Sequence, residues 1–123
     1  RFVVLAAGMN DLIRPALYGA RHRIVPVKPR GGAVTTTVVV GPLCESGDTF
    51  DSEAMLPPME PGDLVAILDA GAYGAAMSSN YNGRGRLAEL VTQGGTLTLA
   101  RAAEGAAEVM GRGRVIMQGS DSI

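Results

Sequence analysis

Arg23-Ile24-Val25-Pro26-Val27 and Ala33-Val34-Thr35-Thr36-Thr37-Val38-Val39-Val40 stand on either side of Lys28-Pro29-Arg30-Gly31-Gly32, and this stretch decides the fold class. Val, Ile and Thr lose side-chain freedom in a helix and pack well on a pleated surface, so both flanks read as strands. The Pro and Gly residues between them are a strong turn signal. The expectation is an antiparallel pair, and with it a mostly β protein.

Outward from that pair, other strands come into view. Phe2 to Ala7 is a short apolar run stopped by Gly8, suited to a buried strand. Met9-Asn10-Asp11 can start a helical turn, but Pro15 disfavours helical geometry at Arg14 and predicts irregular backbone there. Gly41-Pro42 ends the Val-rich strand and leaves Cys44-Glu45-Ser46-Gly47-Asp48 as a polar loop at a strand end, a common place for function. Pro57-Pro58 and Pro61-Gly62 precede Asp63 to Leu68, another buried strand. Asp69 to Gly74 breaks the run, and Ala75 to Ser79 suits a helical turn. Glu89 to Gln93 and Thr96 to Arg101 flank Gly94-Gly95 as a hairpin. Ala102, Ala106, Val109 and Met110 share one helical face with Glu104 and Glu108 on another, and Gly111 to Ile123 reads as a loose tail.

With 123 residues the chain fits one domain, long enough for a core but short for an enzyme that must enclose a large cofactor. Its 17 glycines are about twice the usual usage of roughly 7%, which implies many tight turns and little continuous helix. A formal charge of −1, no Trp and only two Phe and three Tyr give no electrostatic or stacking surface for nucleic acid. No apolar run is long enough for a membrane span, and the opening residues lack a signal-peptide layout, so a cytoplasmic location is expected. The single cysteine, Cys44, is expected as a free thiol. The chain begins without Met in a strand-like run, which reads as a fragment or excised domain; a processed chain looks the same.

Several chemistries fail on the residues. Gly71 and Gly74, or Gly83-Arg84-Gly85, complete neither a dinucleotide nor a Walker signature. Cys44 and His22, the lone histidine, show no spacing for a hydrolase pair or a metal site, so an unreactive cysteine and a surface or packing histidine are the plainer readings.

Three segments carry more. They are Ala7-Gly8-Met9-Asn10-Asp11-Leu12-Ile13-Arg14-Pro15-Ala16-Leu17-Tyr18, Gly41-Pro42-Leu43-Cys44-Glu45-Ser46-Gly47-Asp48, and Asp69-Ala70-Gly71-Ala72-Tyr73-Gly74 with Ser79-Asn80-Tyr81-Asn82. In this order and at about this spacing they resemble the C-terminal domain of diaminopimelate decarboxylases, within the alanine-racemase-like, fold-type III pyridoxal-phosphate decarboxylases. The match runs from about Phe2 to Arg101.

The resemblance implies an antiparallel β-barrel like the C-terminal domain of alanine racemase, with short helical turns and a C-terminal helix. Residues 1–101 are the barrel domain, completed by a strand from the far N-terminus of the whole protein, and residues 102–123 the helix and tail. It implies pyridoxal 5'-phosphate as cofactor, bound through a Schiff-base lysine of a separate N-terminal (β/α)8 barrel. This chain's one lysine, Lys28, lies in a Pro/Gly-rich turn and reads as a solvated side chain, so the chain alone is expected to be inactive. The cofactor delocalises the charge left when carbon dioxide departs, while protein groups orient the substrate.

By resemblance, Arg14 and Tyr18 bind the distal carboxylate of the substrate; guanidinium suits this through two parallel charge-assisted hydrogen bonds. Cys44 and Glu45 reach across a homodimer interface, Glu45 to the distal ammonium and Cys44 either to deliver a proton to the carbanion or to position the group that does. Tyr73 lies at the cofactor phosphate or beside the substrate. Asp48, Asn80 and Asn82 fix loops. The chain departs from the family at Ala6, where an acidic residue is usual, and at Gly85 and Leu87, which replace prolines. Competing readings are a decarboxylase of ornithine, arginine or a carboxylated polyamine, and a non-catalytic dimerisation or regulatory barrel. Glu45, where the ornithine enzymes place aspartate, argues against the first.

Overall fold

A computed structural model describes residues 1–113. Among these residues seven strands form three small sheets: β1 (Phe2–Val4), β2 (Ile24–Pro26), β3 (Thr35–Val40), β4 (Thr49–Leu56), β5 (Val65–Ile67), β6 (Glu89–Gln93) and β7 (Thr96–Arg101). Three short helices are interspersed in the described residues: α1 (Arg14–Tyr18), α2 (Gly71–Ala76) and α3 (Ala106–Met110), with a 3-10 turn at Tyr81–Gly83. The mostly β expectation holds. Among the described residues the sheets have the orders β1-β3-β4, β2-β5 and β6-β7, and they do not close into a barrel.

The antiparallel pair expected between Arg23–Val27 and Ala33–Val40 does not form. β2 pairs with β5, Ile24 opposite Ile67 and Pro26 opposite Val65, while β3 pairs with β4 and, in parallel, with β1. The Pro/Gly stretch ends β2 but does not choose its partner. The stretch between β2 and β3 exceeds the about two to five residues of a tight hairpin. Arg30 within it instead bonds Asp63 just before β5, holding the Asp63 carboxyl below its ordinary range.

β4 is poorly announced by the sequence because Ser52 and Met55 break the alternation that Phe50, Ala54 and Leu56 otherwise keep. The register explains the interruption: Thr37 faces Ala54 but Val39 faces Asp51, so β4 carries an extra residue there, as in a β-bulge. The core lies between β4, β3 and β2, where Leu12, Ile24, Val39, Phe50, Ala54 and Leu56 are buried. Leu5, Ala7, Val65, Ile67 and Ala70 pack partly buried against it.

β1 is not the buried strand expected. It has β3 as its partner on one edge only, and Phe2 and Val4 are 70% and 66% exposed. An open groove of about 580 Å³ runs beside it, lined by Val4–Ala7 on one side and Leu64, Val65 and Ile67 on the other. The strand expected over Asp63–Leu68 is present as β5 but only half-buried.

The helices also differ from expectation. Arg14 is the first residue of α1 rather than irregular, because Pro15 stands in the first turn, where its missing N–H deprives no helical bond. Gly19, left-handed at φ 64°, ends α1: its N–H bonds the Pro15 carbonyl, the bond of a left-handed glycine cap, and the Ala20 N–H bonds the Arg14 carbonyl. α2 begins at Gly71, inside the stretch expected to break the chain, and so places Tyr73 on a helix. The hairpin about Gly94-Gly95 forms, both glycines having positive φ. α3 is shorter than expected: Ala102 and Glu104 precede it. Most of the expected loose tail, residues 114–123, lies outside the described residues.

Candidate functional site

Arg14 and Tyr18 stand one helical turn apart on α1 and therefore share a face. α2 presents Tyr73 and, just past its end, Met77 to that face, and the four side chains line an open groove of about 280 Å³. The Arg14 guanidinium lies over the Tyr73 ring, 5.4 Å from its centroid, a cation–π arrangement that orients the guanidinium without using its five N–H donors. Tyr18 and Tyr73 are 64% and 60% exposed, so both hydroxyls are open to a ligand. A cation and two phenols around one opening suit an anion, a carboxylate or a phosphate.

Cys44 and Glu45 do not line that groove. They stand on the β3–β4 loop, and Cys44 is a free, exposed thiol. The loop is built around Asp48, 3% exposed, whose carboxylate accepts the N–H groups of Met9 at 2.6 Å and Leu43 at 2.8 Å. The Asp48 N–H bonds the Glu45 carbonyl at 3.0 Å, and the Gly41 N–H bonds the Asp48 carbonyl at 2.9 Å. A Cβ at Gly41 would collide with the Asp48 carboxylate. Asp48 thus fixes the loop, as expected of it, and ties it to the turn that leads into α1.

Glu45 has a partner that the sequence does not signal. The Tyr81 hydroxyl donates to Glu45 Oε2 at 3.3 Å, while Oε1 accepts from Ser46 Oγ and the Gly47 N–H. Tyr81 sits between two asparagines with no spacing cue that would pair it with a residue on another loop. Asn80 anchors the Tyr81 segment, donating to the Arg84 carbonyl and to Glu104 Oε2 at 2.8 and 2.7 Å. Asn82 contributes a left-handed backbone, φ 56°, which asparagine tolerates. Arg84 donates to the carbonyl of Ala6 at 2.6 Å, so the position lacking the family's acidic side chain is held through its backbone.

Glu104, also unsignalled, accepts the N–H of Arg86 and side-chain bonds from Arg112 and Asn80. These donors, the Arg86 amide foremost, lower its carboxyl from the ordinary 4.5 to about 2. Arg112 bonds Asn80 Oδ1 as well, at 2.7 Å.

His22 is buried, its Nδ1–H donating to the Leu68 carbonyl at 3.1 Å, so it is a packing histidine. Lys28 lines a separate groove with Val27 and Gly62–Leu64 and takes no part in the Arg14 groove. The residues present therefore fit pyridoxal phosphate only as contributors: Tyr73 offers an exposed hydroxyl, and no lysine stands in its groove. Among the described residues no helix is long and apolar enough to cross a membrane.

Residues 1–71 match the family of the pyridoxal-dependent decarboxylase, C-terminal sheet domain. A diaminopimelate decarboxylase of Helicobacter pylori strain J99 is 49% identical over 105 residues, which is 85% of this chain and 26% of that protein. The crystal structure of diaminopimelate decarboxylase from M. jannaschi superposes with a TM-score of 0.89 at 39% identity, covering 94% of this chain and 26% of that one. The Helicobacter pylori enzyme complexed with L-lysine superposes with a TM-score of 0.85 at 44% identity, covering 91% of this chain and 28% of that one. The chain spans about a quarter of the length of these relatives. On sequence and fold together, the chain belongs to the pyridoxal-dependent decarboxylases, as their C-terminal sheet domain.

Proposed function

We propose that this chain is the C-terminal part of a pyridoxal-phosphate-dependent diaminopimelate decarboxylase, a lyase of lysine biosynthesis that converts meso-2,6-diaminopimelate to L-lysine and carbon dioxide. The observation that carries the proposal is the convergence of Arg14, Tyr18 and Tyr73, from segments far apart in the chain, on one open groove. The printed names of the relatives agree with it.

Pyridoxal phosphate, when bound, supplies the electron sink for the bond that releases carbon dioxide. The chain's own residues do the rest of what falls to this domain. Arg14 clamps the distal carboxylate with two parallel hydrogen bonds, and Tyr18 adds a third donor. Tyr73 turns its hydroxyl to the cofactor phosphate or the substrate beside it. Glu45 accepts the distal ammonium, and Cys44 delivers its Sγ proton to the carbon that has lost carbon dioxide.

Cys44 and Glu45 stand outside the Arg14 groove, which supports a homodimer in which each subunit's Cys44 and Glu45 complete the partner's groove. The Schiff-base lysine belongs to the N-terminal (β/α)8 barrel of the same protein. Residues 1–101 form the barrel domain, and a strand from that N-terminal part closes it against the open edge of β1, covering Phe2 and Val4. Residues 102–123 form the helix and tail that follow. The free thiol of Cys44 fits a reducing cytoplasm.

The test is an assay of the full-length protein with meso-diaminopimelate, ornithine, arginine and lysine. Carbon dioxide release from diaminopimelate alone is the expected result. Preference for ornithine or arginine overturns the substrate, and no release from any of them favours a non-catalytic domain.

A further inference from the structure

We infer that Tyr81 is a positioning residue for Glu45, held in place by a clamp centred on Glu104; the inference rests on the substrate role proposed for Glu45. A carboxylate on an exposed loop turns freely about its last bonds unless its oxygens are engaged. Here Oε1 is engaged by Ser46 and Gly47 from its own loop, while Oε2 meets Tyr81 from a segment 36 residues on. A carboxylate has about four acceptor sites, so these three donors fix its plane and leave room for one ammonium proton.

Tyr81 can serve in this way only if its own segment is fixed, and the structure shows how that is done. Ser79 N–H bonds the Asn10 carbonyl at 2.9 Å, and Arg86 Nε bonds the Ser78 carbonyl at 3.3 Å. The Glu104 carboxylate, 12% exposed, joins Asn80 just before Tyr81 to the Arg86 amide after it. The Glu104 N–H returns to the Arg86 carbonyl at 2.9 Å. Gly85 lets the two backbones come this close, since a Cβ there would collide with the Glu104 carbonyl. None of these groups lines the Arg14 groove, so the clamp acts on the site through Tyr81 and Glu45 alone.

The test uses the full-length holoenzyme with Tyr81→Phe and Glu104→Gln, each made also in a Glu45→Gln background. Tyr81→Phe removes one exposed hydroxyl and should raise KM for diaminopimelate about three- to tenfold, with a smaller change in kcat. Glu104→Gln should move KM in the same direction, and both effects should vanish when Glu45 is already Gln. Hydrogen exchange read on the same proteins should show faster exchange at Gly47 for Tyr81→Phe and at Arg86 for Glu104→Gln. An unchanged KM in Tyr81→Phe, or a rise of the same size in the Glu45→Gln background, overturns the inference. If the wild-type enzyme does not decarboxylate diaminopimelate, the proposed function fails, and exchange alone decides the positioning: unchanged exchange at Gly47 in Tyr81→Phe then overturns it.

Discussion

The guanidinium of Arg14 lies over the ring of Tyr73, 5.4 Å from its centroid, so the start of one short helix and the middle of another line a single open groove. Replacing Arg14 with Lys keeps the charge and loses both the planar fork and its stacking on Tyr73. KM for diaminopimelate should rise about tenfold, equivalent to about 1.4 kcal/mol, with thermal stability little altered. Steady-state kinetics and a melting curve on the full-length protein check this.

The separation of Glu45 from that groove bears on assembly. Mixtures of inactive Arg14→Ala and Glu45→Ala enzymes, once subunits have exchanged, should regain about one quarter of wild-type activity, because half the dimers are mixed and each holds one intact site. Exchange confirmed by native mass spectrometry without any recovered activity would place both residues in the same subunit's site.

Asp48 is the buried post of the Cys44–Glu45 loop, and its carboxylate satisfies two backbone N–H groups. Asp48→Ala strands both donors and should lower stability by about 3 kcal/mol. Gly41→Ala should destabilise through the same carboxylate, by pushing it off its donors. Denaturant titration measures both, and a loss well below 1 kcal/mol in each, about the net worth of one ordinary hydrogen bond, would contradict this account of the loop.

Glu104 gives the fold an acid limit. Its carboxyl is lowered to about 2 in the folded chain against 4.5 ordinarily, so the unfolded chain takes up the proton first. The stabilisation is complete above the ordinary value and drains away as pH falls toward about 2. Melting temperature should therefore fall over that window, and less steeply in Glu104→Gln. An identical slope in the two proteins would count against the clamp.

The sequence reveals those parts of this molecule that local chemistry determines. Gly94-Gly95 demands positive φ and yields the β6–β7 hairpin, and Thr35–Val40 is a strand because its side chains leave little else. Partner choice is not local: the Pro/Gly turn after Val27 carries no information that β2 will pair with β5, and the bulge at Ser52–Glu53 hides β4 by breaking its alternation. Pro15 shows two local rules in conflict, with its tolerance in a first helical turn prevailing over its effect on the residue before it. For the site, Arg14, Tyr18 and Tyr73 line one groove, and Asp48 serves its loop. Tyr81 and Glu104 carry no such signal, since each meets a residue distant in sequence.

The paired bonds between Arg86 and Glu104 close the chain on itself at the foot of the β6–β7 hairpin. Whatever happens between those two residues is a detour with fixed ends. Extra residues at Gly94-Gly95 would lengthen the detour without shifting Tyr81 or Glu45, because the ends are fastened before the hairpin begins. That tip is therefore a port for engineering: a fluorophore, an affinity peptide or a surface tether introduced there should report on the protein or immobilise it while the groove keeps its shape.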